Sequence, residues 1–341
     1  MKKISVILLA CCVSLAASAK ILTVNNNNNS PGQYTSPQAA IDSASAGDSI
    51  YVHGSATSYG NAVLKKRLNF FGTGNRPNKA NILVSEVGTF YMDSVSGISG
   101  PSGTKIIGFK LTGIVGYSGS GGTSNILVLR NYFLPGSTLI QITGTGWVLE
   151  NNIFPSTLVN INNNTNTIIR NNIFNGSYIL SSNQPTVVIA NNIFLGTSPA
   201  TALSYVSNAL IANNIFSGSS PNGTSVDNNV FSNNITYKTA NNVLPSGTNI
   251  GSGNLTAQDP MFTNVPINTF NYSYDFSLSA ASPGKNAGTD GKDVGIYGGV
   301  MPFVDMTGTP AIPQVKSLSI LNPVIPVGDS LQVIIKANKH Q

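Results

Sequence analysis

"ENNIFPS" at 150–156, "RNNIFNG" at 170–176 and "ANNIFLG" at 190–196 are one phrase written three times at a step of twenty residues. Set in register at that step, Leu129, Leu149, Ile169 and Ile189 form one column, and Arg130, Glu150, Arg170 and Ala190 the next. Asn131, Asn151, Asn171 and Asn191 follow, then Tyr132, Asn152, Asn172 and Asn192. The last two columns are Phe133, Ile153, Ile173, Ile193 and Leu134, Phe154, Phe174, Phe194. The phrase returns as Asn213-Asn214-Ile215-Phe216 after twenty-two residues and as Asn228-Asn229-Val230-Phe231 after fifteen. Degenerate copies stand at Asn233-Asn234-Ile235 and Asn241-Asn242-Val243.

Short β-like segments flank the copies: "WVLE", "TIIR", "VVIA" and "ALIA" before the asparagines, "TLIQI", "TLVNI" and "SYIL" after them. No 3.6-residue apolar period competes with this pattern. Three short strands and three turns fill about twenty residues, and equivalent residues of stacked coils lie about 4.8 Å apart. The repeat therefore predicts an all-β chain wound as a parallel solenoid with coils of about 20–22 residues. Asn151, Asn152, Asn171, Asn172, Asn191, Asn192, Asn213 and Asn214 fall at a bend, where a side-chain amide can pass a hydrogen bond to its equivalent one coil away. Phe154, Phe174 and Phe194 are expected to stack inward, and Arg130, Glu150 and Arg170 to alternate in sign on adjacent strands and so fix the register.

Upstream, "TSPQAAIDSASAGD" offers a Ser or Thr N-cap, Pro37 in the first turn and an apolar side of Ala39, Ala40, Ile41 and Ala44, which predicts a short helix over 36–46. A solenoid has open ends, and such a helix caps the first one. Beyond about residue 301, Pro302, Pro310 and Pro313 mark a linker over 301–314, and "VKSLSIL" and "SLQVIIKA" read as two strands of a short β tail over 315–341. The tail is too short for a core of its own and is expected to pack on the solenoid or its last edge, against its reading as a surface-sorting or partner-binding segment.

Lys2 and Lys3 precede an apolar run from Ile4 to about Ala17, and Ala17-Ser18-Ala19 supplies a small-residue cut site, so residues 1–19 read as a signal peptide. A second reading takes Leu8-Leu9-Ala10-Cys11 as a lipobox with Cys11 lipidated, although the apolar run continues past that cysteine. Cys11 and Cys12 both lie in this leader, so the mature chain carries no disulfide, thiolate or cysteine metal site. The chain is expected to be secreted or held at the cell surface, with no membrane span after cleavage. Charged residues make up 9% of the sequence, against about 25% in an ordinary domain. Without Lys2 and Lys3, sixteen basic residues face twelve acidic ones, a balance of +4 that, with no nucleic-acid motif, excludes a nucleic-acid binder.

The cap "SPQAAIDSASAGDSIYV", the NNIF coils and the run "QDPMFTN…YDFSLSAASPGKNAGTDGKDVGIYGG" (258–299) resemble bacterial exported right-handed parallel β-helix proteins of the pectate-lyase-like superfamily. The resemblance spans about residues 20–300 and implies the right-handed fold; Lys285 departs from the acidic or apolar residue usual in that ending. The superfamily holds lyases, hydrolases, epimerases and adhesins, so function must come from the site.

A lyase of this kind needs carboxylates for calcium or the uronate and a Lys, Arg or His base, and a hydrolase needs paired carboxylates. Between 101 and 256 the acids are Glu150 and Asp227, neither with a partner carboxylate in its own or the next coil. Arg130, Glu150 and Arg170 form the remaining catalytic constellation, a uronate clamp and base, against their reading as a register-fixing ladder. His53, beside Gly54, reads as a surface or turn residue, and Asp290 and Asp293 are too few, with Lys292 between them, for a calcium loop. Lys65, Lys66, Arg67, Arg76 and Lys79, beside Tyr59, Phe70 and Phe71, form a basic, aromatic patch suited to an acidic glycan, against its reading as a solvated strand edge near the cap. Two functions follow: a non-catalytic exported scaffold that binds glycan or a neighbouring surface, with no cofactor or metal, or a polysaccharide lyase acting on an acidic polysaccharide, for which alone calcium enters.

Overall fold

The computed structural model describes residues 19–28, 31–76, 83–95, 98–119, 122–135, 139–181, 186–304, 314–322, 328 and 330–338. All of the expected leader but its last residue, and most of the proline linker, lie outside them. The chain is a right-handed parallel β-helix of about 8 turns. One coil shows the plan: Val148–Glu150 on the first face, Ile153–Pro155 on the second and Leu158–Thr165 on the third. A ten-stranded parallel sheet runs along the first face from Ile21–Val24 to Val230–Ser232, and a thirteen-stranded sheet carries the other two.

Between the first and second faces the chain turns sharply, and the first asparagine of each phrase makes the turn with a left-handed backbone: Asn151, Asn171, Asn191, Asn213 and Asn233 have φ of 55°, 52°, 55°, 56° and 53°. Asparagine tolerates that conformation far better than a branched or bulky residue. The second asparagine points inward. Asn131, Asn152, Asn172, Asn192, Asn214, Asn234 and Asn254 pass Nδ2–H to the next Oδ1 at 3.2 Å for the first step and 3.0 Å for the other five. Each receiving Oδ1 also accepts the backbone N–H of the preceding asparagine, while the second Nδ2 hydrogen of Asn152, Asn172, Asn192, Asn214 and Asn234 goes to Val128, Leu149, Ile169, Ile189 and Ile211 carbonyls. The amides are thus buried with their bonds made, which is what makes their burial tolerable.

Beside this ladder Phe133, Phe154, Phe174, Phe194 and Phe216 stack face to face, with ring centroids 4.9, 4.8, 4.5 and 4.9 Å apart. All five rings are fully buried, each contributing roughly 1.5 to 3 kcal/mol.

The register departs from the twenty-residue ruling in two places. Leu129 lies opposite Glu150 and Tyr132 opposite Ile153, so Asn131 belongs with Asn152 and Phe133 with Phe154. Seven residues separate Phe133 from Ile140, but five separate their counterparts Phe154 and Val159. A bulge between Ile161 and Asn164 gives one residue back, leaving a coil of twenty-one. Arg130 therefore stands not in the column of Glu150 and Arg170 but in that of the turn asparagines, with φ of 55°.

Nor is there a fifteen-residue coil. Val230–Ser232 pairs with Leu210–Ala212 on the first face, and Asn229 joins a second amide ladder with Asn249 at the corner entering that face. The phrase truly continues in Asn233-Asn234-Ile235, with Ile235 opposite Ile215 and Thr236 in the phenylalanine's place. Asn241-Asn242-Val243 lies in an irregular loop, where Asn242 Oδ1 accepts from Thr239 N and Oγ1. Two asparagines before an aliphatic residue suit any corner that needs a left-handed residue and then a ladder amide, so the phrase alone does not say which corner it occupies.

The capping helix is Pro37–Ser43, with Ser36 Oγ accepting from Ala39 N at 3.2 Å and Pro37, Ala40 and Ile41 buried. It ends three residues before the expected 46, because Ala44 already has an extended backbone. At the other end Gln314–Ile320 and Val333–Asn338 pair antiparallel and leave Leu318, Ile320, Ile334 and Ile335 exposed, so the tail does not pack on the solenoid as expected.

Candidate binding cleft

Strand alternation decides what lies outside the second face. With Phe154, Phe174 and Phe194 inward, Ile153, Ile173, Ile193, Ile215 and Ile235 point outward. An outward aliphatic column requires a cover, and residues 262–303 supply it: Phe276, Leu278, Val294, Ile296 and Phe303 bury those isoleucines in a second core.

The turn asparagines hold this arm by its backbone. Asn233 Nδ2 donates to Ala287 O, Asn213 exchanges bonds with Thr289, Asn191 donates to Gly295 O, and Asn171 to Ile296 O and Gly298 O. Asn151 then donates to Met301 O and accepts from Val304 N. The arm thus descends the stack against the direction in which the coils rise. Nearer its start Asn268 Nδ2 bonds Gly196 O and Ser217 O, and Asn175 Oδ1 accepts from Thr269 Oγ1 and Phe270 N. Lys285 and Asp293 pair at 2.8 Å within the arm, and Asp290 Oδ1 accepts from Lys292 N, so these carboxylates serve the arm's own loops.

Between arm and coils a cleft of about 390 Å³ remains, lined by Ile153, Ile173, Phe270, Tyr272, Tyr274, Phe276, Tyr297 and Phe303, with Arg76 and Asp275 at its polar side. Phe270 meets Tyr272 edge-on at 4.9 Å, and Tyr297 meets Phe303 edge-on at 6.4 Å. The Tyr272 hydroxyl donates to Asn75 Oδ1, and its ring lies 6.2 Å from that of Tyr132. Burial pushes the Tyr272 phenol far above its ordinary value of 10.0, with Tyr132 adding to the rise and Arg76 opposing it. Asp275 Oδ1 accepts from Ser277 N, which leaves the other carboxylate oxygen toward solvent.

The Arg130, Glu150 and Arg170 constellation sits at the adjoining corner. Glu150 is 3% exposed and meets Arg170 at 2.7 Å from both Nε and Nη2. The two residues are directly opposite on neighbouring strands, as are Glu86 and Lys110, which pair at 3.0 Å. Arg130 lies off that strand register yet within the field of Glu150: burial lowers its pKa and the Glu150 carboxylate works against this. Asn75 Nδ2 donates to Arg130 O at 3.4 Å, linking this corner to Tyr272 and the cleft.

The basic, aromatic patch expected around residues 59–76 is not one surface. Phe70 is fully buried, Phe71 stacks on Tyr51 with ring centroids 4.9 Å apart, and Tyr59 is half-buried with its hydroxyl on His53 O, while Lys79 lies outside the described residues. Lys66 Nζ closes the capping helix on Ala44 O at 2.7 Å, and Lys65 reaches Asp93 at 3.6 Å. Arg67 packs across the turns at Gly47 and Gly103. Arg76 alone is carried to the aromatic cleft. His53 is exposed, as expected of a turn residue. Among the described residues no three His, Cys, Asp or Glu side chains converge as a metal cage, and no helix is long and apolar enough to cross a membrane.

The cleft is not legible as a local motif because its wall comes from residues about two hundred positions away from Arg76. A signal was present: "FNYSYDF" at 270–276 alternates aromatic and polar residues, the pattern of a strand with one aromatic face.

No protein-family model and no curated protein matches the chain. Among solved structures it is similar to the crystal structure of pectate lyase Pel9A, with 13% identity over 82% of this chain and 96% of that one and a TM-score of 0.44.

Proposed function

We propose that the chain is an exported or cell-surface scaffold that binds an anionic glycan, without cleaving it, in the cleft between its arm and its coils. The observation that supports this reading is the wall of Phe270, Tyr272, Tyr274, Phe276, Tyr297 and Phe303 meeting Arg76. Sugar rings present flat C–H faces that aromatic rings cover, and Tyr adds a polar rim. A guanidinium fork matches the carboxylate of a uronate in two parallel hydrogen bonds. Glu150, a buried acid, is paired with Arg170 in strand register, which supports its reading as architecture.

The test is retention of residues 20–341 on an immobilised uronate polymer and on a neutral glucan, with product formation followed as ultraviolet-absorbing unsaturated ends. Retention on the uronate polymer that weakens about tenfold in Arg76→Ala, a change of about 1.4 kcal/mol, is expected, with no product. Absence of retention overturns the reading. Product that vanishes in a folded Arg170→Ala variant replaces it with a polysaccharide lyase.

A further inference from the structure

On the same outer face, two to four coils further along the stack, lies a second cleft of about 430 Å³. Its floor is Ser217 and Tyr237, from the strands Ile215–Ser220 and Ile235–Tyr237, and its wall includes Met261, Phe262 and Asn268. Lys238 stands at its edge with a left-handed backbone, φ 51°, its ammonium 4.7 Å from the centroid of the Tyr237 ring. Among the described residues no carboxylate lies within ion-pair distance of that ammonium, and Asp259, also in the cleft, gives one oxygen to Met261 N at 2.8 Å.

The two clefts share their design: an aromatic surface, one cation, and one exposed aspartate tied to its own turn. They also share a wall, since Asn268 lines the second and Phe270, two residues on, the first. Ile173 in the first is two coils from the strand of Ser217, about 10 Å along the axis, and Ile153 is four coils from that of Tyr237, about 19 Å. A Cβ held at φ near +50° crowds the following carbonyl oxygen at a cost on the order of 1–2 kcal/mol, so Lys238 keeps that place against a steric cost.

We infer that the second cleft is a further subsite for the same ligand, which is therefore an extended anionic polysaccharide lying along the solenoid axis, with one uronate at Arg76 and a later one at Lys238. This rests on the glycan reading of the first cleft. Two tethered contacts on one chain multiply, because the second binds at the effective concentration set by the first.

The experiment is calorimetric titration with oligouronides of increasing, defined length against the wild-type chain, Arg76→Gln and Lys238→Gln. Affinity is expected to rise by tenfold or more once the oligomer reaches both clefts. Lys238→Gln is expected to remove that rise while leaving short-oligomer affinity unchanged, and Arg76→Gln to weaken every length. Short oligomers that bind with no gain from length, or a gain that survives Lys238→Gln, overturn the second subsite alone. If no oligomer of any length binds, the reading of the first cleft fails and the second falls with it; binding lost in Lys238→Gln but indifferent to Arg76→Gln moves the site to the second cleft and overturns the bridged ligand. Circular dichroism of each variant separates these outcomes from misfolding.

Discussion

Two columns of asparagine run side by side through this molecule and do opposite work. Asn152, Asn172, Asn192 and Asn214 face inward and bond one another and the coils. Asn151, Asn171, Asn191 and Asn213, one residue earlier, turn the backbone and bond a segment 76 to 150 residues later in the chain. Side-chain identity is the same in both, so the difference comes from position: one peptide step across a corner exchanges the interior for the surface. The inner column makes the solenoid self-sufficient, and the outer one makes it a dock.

The largest expected effect lies in the inner column. Asn172→Ala removes bonds to Leu149 O, Arg170 O and Asn192 Oδ1 and leaves Asn152 N–H and Nδ2–H without their acceptor. Each buried group left unpaired costs about 1–3 kcal/mol, so the variant is expected to lose at least about 3 kcal/mol. Trp147, the single tryptophan, is fully buried with Nε1 on Thr143 O at 2.9 Å, and its fluorescence reports coil unfolding in denaturant. A midpoint near wild type for Asn172→Ala erases the distinction between the columns.

A smaller effect separates arm from coils by pH. The inner ladder contains nothing that titrates, whereas burial raises the phenols of Tyr272 and Tyr132 where the arm meets the coils. A phenol raised in the folded state contributes stability that is complete below its unfolded pKa, near 10, and is lost as pH climbs toward the folded one. Arm contacts are therefore expected to weaken above about pH 10 while the coils hold. Limited proteolysis of the arm should quicken at a lower pH than that at which Trp147 fluorescence changes, and Tyr272→Phe should remove that early step. Coincident transitions in the wild type would mean that arm and coils form one cooperative unit.

The same division explains what could be read from the sequence. Asn152, Asn172, Phe154 and Phe174 repeat because translation along one axis places each on its own copy, so periodicity alone gives the stack and the ladder. Register is lost where coil length changes: a fixed step places Arg130 in Glu150's column because the longer turn after Phe133 has no signature that step can detect. Asn228-Asn229-Val230-Phe231 misled because both corners ask for the same residues. The cleft was hidden more deeply, since Arg76 and Tyr272 meet through a non-local fold-back. Even so, once Phe154 is assigned inward, Ile153 must point outward, and a column of such isoleucines implies a cover that the aromatic run at 270–276 can provide.

The smallest effect tests what the outer column is for. An asparagine at φ 52° serves both the turn and the arm, and Asn171 shows the two roles together: a left-handed backbone and Nδ2 bonds of 2.8 and 2.9 Å to Ile296 O and Gly298 O. Asn171→Gly keeps the turn without strain and removes the amide, whereas Asn171→Ala removes the amide and keeps a Cβ in the left-handed region without the polar group that lets asparagine tolerate it. The difference in stability between the two variants therefore reads the turn, at about 1 kcal/mol in favour of glycine. The difference between wild type and Asn171→Gly reads the arm, whose two carbonyls lose a buried donor. If limited proteolysis of the 287–304 segment quickens equally in both variants while only Asn171→Ala lowers the Trp147 midpoint further, the two roles are separable. If glycine matches asparagine in both measurements, the residue is there for its backbone alone, and the arm is held by the isoleucine column beneath it.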